Sequence, residues 1–317
     1  MIEIFKYPHI CSYPVMVDYL KQSNLQQSNF IGTAKIDGSN CSLVEKNKVR
    51  SYQSRNNIIT IDNDHLKFAA FAESKIGAFD SLYDKIYSWY DYNQDYVYVI
   101  YGEYFGKNIQ RDLAVSQVKR SFAIFDVIIF TADNFIYLPP DKLELLNDHA
   151  NRIYNVYEFG TFNLKINLDN LDETNAILEA NTLQVGKQCP VGKYFGIEGR
   201  GEGVVYSCYN PLLKFKVKTD ESSVVYRHEK NLAKVEETKN IQEFIDYSVT
   251  ENRLNQGLTE IFNGKKIDES DVPDFIRWVV ADVLREEDLT IQTNNLDLRR
   301  LKKAIGKKAR DFIMNKI

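Results

Sequence analysis

Lys35 is the residue whose type and context best suit it to act as a nucleophile. It stands in Thr33-Ala34-Lys35-Ile36-Asp37-Gly38-Ser39-Asn40, an amine at a strand end followed at once by a tight polar turn. An ammonium cannot attack an electrophile such as a phosphate until it loses its proton, so such a site must depress the lysine pKa by desolvation or nearby positive charge. Taken alone, the segment is better read as a solvated lysine before an Asp-Gly turn. Three further segments carry complementary groups. The run Val97 to Phe105 reads as a buried strand that delivers Glu103 to an edge, with Gly102 and Gly106 allowing close backbone approach. Glu202 sits between Gly201 and Gly203 ahead of the β-branched run Val204-Val205. In Leu212 to Lys218 side chains alternate across a strand, so Lys214, Lys216 and Lys218 project from one face. Such a row fits solvated lysines on an exposed strand or a clamp for a polyphosphate. Glu103, Glu202 and Asp126 likewise fit exposed carboxylates at strand ends, and Phe125 fits a core aromatic.

The elements that must position these groups change character once along the chain. At 317 residues and 44% hydrophobic, the chain can bury a large domain and a small one. From about residue 30 to 218, short aromatic and β-branched runs such as Val97 to Tyr101, Phe122 to Phe130 and Gly203 to Tyr206 alternate with Asn, Asp and Gly turns. The intervening segments Leu66 to Ile76 and Lys142 to Val156 have helical spacing. This pattern predicts an α+β domain built on antiparallel sheets. After a polar junction at Thr219 to Ser223, helical spacing dominates. Ile241, Phe244, Ile245, Val249 and Leu254, then Phe275, Ile276, Val279, Val280, Val283 and Leu284, each fall near one face. Asp271 before Pro273 and the stretch Asp288 to Asn295 mark helix limits. The expected domains are 1–225 and 226–317, the second all-α.

Charge and cysteine usage narrow the class. Net charge is −4, which does not advertise a nucleic-acid binder, although Arg299, Arg300, Lys302, Lys303, Lys307, Lys308, Arg310 and Lys316 make the C-terminal stretch basic. That stretch fits either a phosphate-tracking surface or the solvated side of an amphipathic helix. Cys11, Cys41, Cys189 and Cys208 are scattered, and His9, His65, His149 and His228 do not cluster, so a zinc site is not expected. No apolar run is long enough to cross a bilayer and Met1 to Lys6 lacks a signal-peptide pattern, giving the expectation of a soluble, cytoplasmic protein with no membrane partner.

The order Lys-x-Asp-Gly, Gly-Glu, Glu-Gly-Val-Val, Lys-x-Lys resembles the covalent nucleotidyltransferases, the superfamily of ATP-dependent DNA ligases, RNA ligases and capping enzymes. Two intermediate segments extend the likeness: Ser51 to Asn56, with Arg55, and Ser121 to Val127, with Phe125. Within the superfamily the chain looks most like the phage RNA ligase 2, or double-strand RNA ligase, family. Asp37 departs from that family, which commonly has His there, and is shared with DNA ligases and capping enzymes. The resemblance implies an antiparallel-sheet nucleotidyltransferase (ATP-grasp-like ligase) domain followed by a small helical domain that helps engage the nick.

It also implies an ATP-dependent RNA ligase with Mg²⁺, for which Mn²⁺ can substitute. Lys35 would attack the α-phosphate of ATP and carry a lysyl-AMP. AMP would then pass to a 5′-phosphate RNA end, which a 3′-hydroxyl seals, at nicks in duplex RNA. Lys216 and Lys218 would stabilise phosphate charge, with Lys214 as a third cation. Glu202 would take part in metal binding directly or through water, Glu103 would contact the ribose and Phe125 the adenine face. Arg55 would pair with phosphate, and Asn40 with the acceptor strand or its phosphate. Nothing demands more than a monomer. Asp37 keeps a DNA or mixed-polynucleotide ligase open, and the basic tail a non-catalytic nucleic-acid-binding module.

Overall fold

The computed structural model describes residues 3–8, 10–219, 241–262, 265–287, 291 and 296–317. Its two compact units are Met1–Val225 and Tyr226–Ile317. The boundary between them, the junction beyond Thr219, and all of the 288–295 stretch except Ile291 lie outside the described residues.

In the first unit, one sheet contains β1 (Cys11–Ser12), β2 (Gln27–Lys35), β10 (Thr161–Asn167), β11 (Gly203–Tyr209) and β12 (Leu212–Lys218). The other contains β3 (Ser39–Lys46), β4 (Val49–Ser54), β5 (Ile58–Ile59), β6 (Val97–Phe105), β7 (Ser121–Phe130), β8 (Phe135–Tyr137) and β9 (Ile153–Asn155). The first runs β1-β12-β11-β2-β10 and the second β5-β4-β3-β6-β7-β8, with β9 also on β7. All pairings are antiparallel except β1 with β12 and β9 with β7, so the expected antiparallel α+β architecture is what forms.

Both sheets have a helix-covered outer face, which is why β6 and β7 are apolar almost throughout. Helices α1 (Tyr13–Gln22) and α5 (Leu171–Lys187) cover the first, burying Met16, Leu20 and Leu178 against Phe30, Tyr206 and Phe215. Helices α2 (Phe68–Glu73) and α3 (Ile76–Tyr90) cover the second, burying Phe68, Phe79 and Tyr83 against Ile100 and Phe122. The opposite face of the second sheet buries Val97, Val99, Tyr101 and Ile128 with Phe5 and Tyr7 packed against them, and the two sheets meet where Lys214 bonds Asp126. Short helices α4 (Pro140–Leu143) and α6 (Pro190–Tyr194) complete the unit.

Two sequence expectations are corrected here. The segment Leu66 to Ile76 is shorter as a helix, because Lys67 is left-handed (φ 65°) and the Asp64 carboxylate accepts from Ala69 N at 2.7 Å, so α2 starts at Phe68. Most of Lys142 to Val156 is not helical. Asp148 accepts from Asn151 N, Arg152 turns left-handed (φ 61°), and Ile153 continues into β9 on the edge of β7.

The described residues of the second unit form helices α7 (Ile241–Ser248), α8 (Glu251–Phe262), α9 (Val272–Glu286) and α10 (Leu298–Met314). The run from Ile241 to Leu254 is thus two helices, broken at Val249-Thr250. Phe244, Val249, Phe275, Val279, Leu301 and Ile305 make its core. Asp297 caps α10 by accepting from Arg299 N and Arg300 N at 2.9 and 3.0 Å. Among the described residues no helix is long and apolar enough to cross a membrane.

The inner wall of the second sheet depends on a bulge. Tyr101 pairs with Asp126 and Gly102 with Ile124, leaving Phe125 as an extra residue in β7. Gly102 permits this by having no Cβ, which would lie 2.3 Å from Phe122 Cζ and 2.7 Å from Ala123 O. Gly102→Ala is therefore expected to cost about 1–3 kcal/mol. Thermal unfolding should show a Tm loss of roughly 2–4 °C per kcal/mol, and an unchanged Tm would contradict the packing described.

Candidate active site

Strand register places the lysine nucleophile candidate within a row of cations. Lys35, the last residue of β2, pairs with Gly203 of β11, which pairs in turn with Lys218 of β12. Thr33, Val205 and Lys216 form the next aligned row on the same face, and Ile31, Ser207 and Lys214 the one after. Phe215 and Val217 alternate to the helix-covered core, which turns all three lysines inward. Gly203 has to be glycine: at φ 158° a Cβ would lie 2.1 Å from Val217 O. Glu202 immediately precedes it, so its carboxylate reaches Lys35, with Oε1 2.5 Å from the Lys35 Nζ.

The second sheet supplies the facing groups. Asn40 of β3 lies opposite Glu103 of β6. Arg55 follows Ser54, the partner of Cys41, which sets it beside that pair, and its charge acts on Glu103. Asp37 occupies the turn between β2 and β3. Its neighbour Gly38 packs so closely on β6 that a Cβ would meet Tyr104 O at 2.4 Å. The structure thus gathers Lys35, Asp37, Arg55, Glu103, Glu202 and Lys218 into one cleft whose charges act on one another, with Asn40 beside them opposite Glu103. Lys216 extends the cationic row from it. Phe125 is half-buried on the same inner side, edge-on to Tyr7.

Two readings change in this light. Lys214 is not a free third cation, because its ammonium is 2.5 Å from Asp126 Oδ2. Asp126 is not an exposed strand-end carboxylate but is 0% accessible, and Glu103 and Glu202 are half-buried. Sequence reasoning gave Asp126 no role and passed over Tyr7, whose hydroxyl donates to Asp126 Oδ2 at 2.7 Å. The only signal for Asp126 was its place beside Phe125, and Tyr7 had none.

The charges around Lys35 favour its protonated form. Desolvation pulls the Lys35 amine down, but Glu202, Glu103 and Asp37 outweigh it and hold the amine above its ordinary pKa. The depressed lysine expected from sequence is therefore not what this arrangement of charges produces. Desolvation, then Glu202, raises Asp37 in spite of Lys35 and Lys218. Desolvation, with Glu202 and Asp37 adding to it against Lys35, raises Glu103 to about 8. Glu202 Oε2 is buried without a hydrogen-bond partner. An excess of carboxylate with an orphaned acceptor suits a hard divalent cation. Among the described residues no three His, Cys, Asp or Glu side chains form a ready-made cage, so such an ion would be held by Glu202 together with ligand oxygens and water.

The raised Glu103 makes a stability test available. Its folded pKa of about 8 exceeds the unfolded value, so the protonated form favours folding, and that stability is lost as pH rises from about 4.5 through 8. Glu103→Gln cannot ionise. Its Tm should overtake that of the unsubstituted protein as pH rises across this window, and an advantage that does not grow with pH would contradict the assignment.

Comparison with known proteins bears on this cleft. No curated protein matches. Among solved structures, a Naegleria gruberi RNA ligase variant with ATP and Mn is 18% identical, with a TM-score of 0.44, covering 71% of this chain and 58% of that one. The Naegleria gruberi RNA ligase with pyrophosphate is 18% identical, with a TM-score of 0.47, covering 72% and 58%. The chain thus spans under two thirds of the length of these structures. The family model described as RNA ligase matches residues 28–218, which run from β2 to the last lysine of β12 and include every cleft residue named above. With more than half its length matched, the chain belongs to the RNA ligase family.

Proposed function

We propose that this protein is an ATP-dependent RNA ligase that works through an AMP covalently linked to Lys35. The observation that carries the reading is the register of β2, β11 and β12, which sets the Lys35–Glu202 pair at the head of the Lys216–Lys218 row. An amine, a carboxylate with a spare oxygen and a line of cations are what attack on a polyphosphate requires.

In the first step Lys35 Nζ, its ammonium proton lost to water, attacks the α-phosphorus of ATP. The N–P bond forms as the bond to the β-phosphate oxygen breaks and pyrophosphate leaves. Lys216 and Lys218 stabilise the charge that develops on the phosphate oxygens, and Arg55 pairs with a phosphate. Glu202, through its unpartnered Oε2, would hold a divalent ion, Mg²⁺ or in its place Mn²⁺, directly or through water, and that ion would supply neutralisation of α-phosphate charge. A Glu202 so engaged would no longer hold Lys35 protonated. Glu103 takes the ribose and Phe125 the base face. In the second step AMP passes from Lys35 to a 5′-phosphate RNA end, with Asn40 on the acceptor strand or its phosphate. In the third, a 3′-hydroxyl displaces AMP and seals the strand.

We assign these steps to residues 1–225 as the adenylyltransferase domain. Residues 226–317 engage duplex RNA at the nick through α10, on which Arg299, Lys303, Lys307 and Arg310 are exposed. The protein acts as a monomer in the cytoplasm, where ATP and reduced thiols prevail.

Intact mass after incubation with ATP and Mg²⁺ tests the chemistry. The unsubstituted protein should gain about 329 Da as one AMP, and Lys35→Ala should gain nothing. Absence of the adduct on folded, AMP-free protein would remove the ligase reading. Lys216→Ala and Lys218→Ala should each slow adduct formation by about 10²–10³-fold, the loss expected for one preorganised charge-stabilising donor. Nicked duplexes with RNA or DNA on the 3′-hydroxyl strand then decide the substrate. Sealing of the DNA-ended nick at least as well as the RNA-ended one would replace the RNA assignment by a mixed-polynucleotide ligase.

A further inference from the structure

Asp126, Lys214 and Tyr7 form a charged, buried cluster that the phosphate chemistry leaves unused. Asp126 Oδ2 accepts from Lys214 Nζ at 2.5 Å and from the Tyr7 hydroxyl at 2.7 Å. The Lys214 ammonium also lies 5.2, 5.7 and 5.8 Å from the ring centroids of Tyr209, Tyr7 and Tyr137. Burial, then the Asp126 charge and hydrogen bond, hold the Tyr7 hydroxyl well above its ordinary pKa, so it remains a donor. Tyr7 is itself held in place. Phe5 N donates to Gln53 Oε1 at 3.0 Å, Gln53 Nε2 donates to Glu3 O at 2.9 Å, and the Tyr101 hydroxyl donates to Phe5 O at 3.0 Å.

The cluster joins the two walls of the cleft. Asp126 belongs to β7 and directly follows Phe125, while Lys214 belongs to β12, one strand repeat before Lys216. Tyr7 lies between them, its ring packing edge-on to Phe125 at 4.9 Å between centroids and 5.7 Å from the Lys214 ammonium. A desolvated ion pair is a poor source of net stability, since the cost of removing both charges from water offsets their attraction and an apolar replacement is often neutral or better. It does supply a fixed separation, because neither charge can leave the other without being stranded in a low-dielectric interior.

We propose that Asp126, Lys214 and Tyr7 are positioning residues that hold the Phe125 wall at a set distance from the Lys216–Lys218 row, so that a ligand spanning both is bound in one geometry. This rests on the nucleotide cleft proposed above. A ligand that touches one wall only is indifferent to that distance; a nucleoside triphosphate is not.

The test measures three affinities, with Mg²⁺ present, on the full chain and on Tyr7→Phe, Asp126→Asn and Lys214→Met. The probes are α,β-methylene-ATP, which spans both walls and is not cleaved at the α-phosphate, adenosine, and tripolyphosphate. Each variant should bind the ATP analogue about tenfold more weakly, in line with the cost of small misplacements in preorganised sites, while adenosine and tripolyphosphate change by less than about twofold. Tyr7→Phe and Asp126→Asn together should lose less than the product of their separate losses, since both act through one carboxylate. Equal weakening of all three probes, or a fall in Tm with all three affinities unchanged, would make the cluster a folding element and overturn the proposal. No binding of the analogue by the unsubstituted protein would remove the nucleotide cleft and the proposal with it. Binding that all three variants leave intact would sink the positioning role alone. If Asp126→Asn does not fold, Tyr7→Phe, which removes one hydroxyl, decides the matter.

Discussion

The contact between Lys35 and Glu202 is the interaction around which the rest of the cleft is arranged. Three carboxylates, Asp37, Glu103 and Glu202, are brought close together, and their mutual repulsion and desolvation would work against folding without a cation among them. Lys35 is that cation. Removing one partner of such a pair strands a charge at a cost of about 3–5 kcal/mol when it is fully buried; here the side chains keep 24% and 18% exposure, which softens the penalty and leaves the pair open to exchange. Every neighbouring backbone choice serves the contact. Gly203 lets β11 run against β12, and Gly38 lets the turn after Lys35 lie on β6.

Holding the proposed nucleophile by its own carboxylate has a chemical sense. In the proposed mechanism the ammonium is inert, so an electrophile that arrives without compensating positive charge meets no free amine. Stability and reactivity are thereby opposed in one pair of atoms, the trade that functional sites commonly make.

How far this was readable from the chain depends on the range of the interaction. Lys214, Lys216 and Lys218 were legible as a row on one face because strand alternation is local, but that the row faces inward was not, since it depends on what covers the other face. The carboxylate between Gly201 and Gly203 was legible because glycines flanking a charged residue ahead of a β-branched run imply close backbone approach. The partner of Lys214 was not, since Asp126 lies 88 residues away on the other sheet and nothing in either segment encodes the pairing. Helix α3 was missed because Phe79, Tyr83, Tyr87 and Tyr90 are aromatic residues that favour strands as readily as helices. Lys142 to Val156 misled in the opposite sense: its apolar spacing is helical, but Ile153 to Asn155 gain more by pairing with the exposed edge of β7.

The bulge in β7 has an implication for how such a cleft can be altered. Because Ile124 and Asp126 are each matched to a residue of β6 while Phe125 is matched to none, the ladder would be continuous in a chain one residue shorter. Phe125 is in that sense surplus to the hydrogen-bond ladder, though not to the packing, since its ring lies on Tyr7 and against two buried clusters. Its deletion would keep the pleat and the facing of every strand, and would take away the ring with those contacts. The surface that this wall presents is therefore separable from the ladder by a single residue, and free to vary in kind without the strand pairing having to be rebuilt.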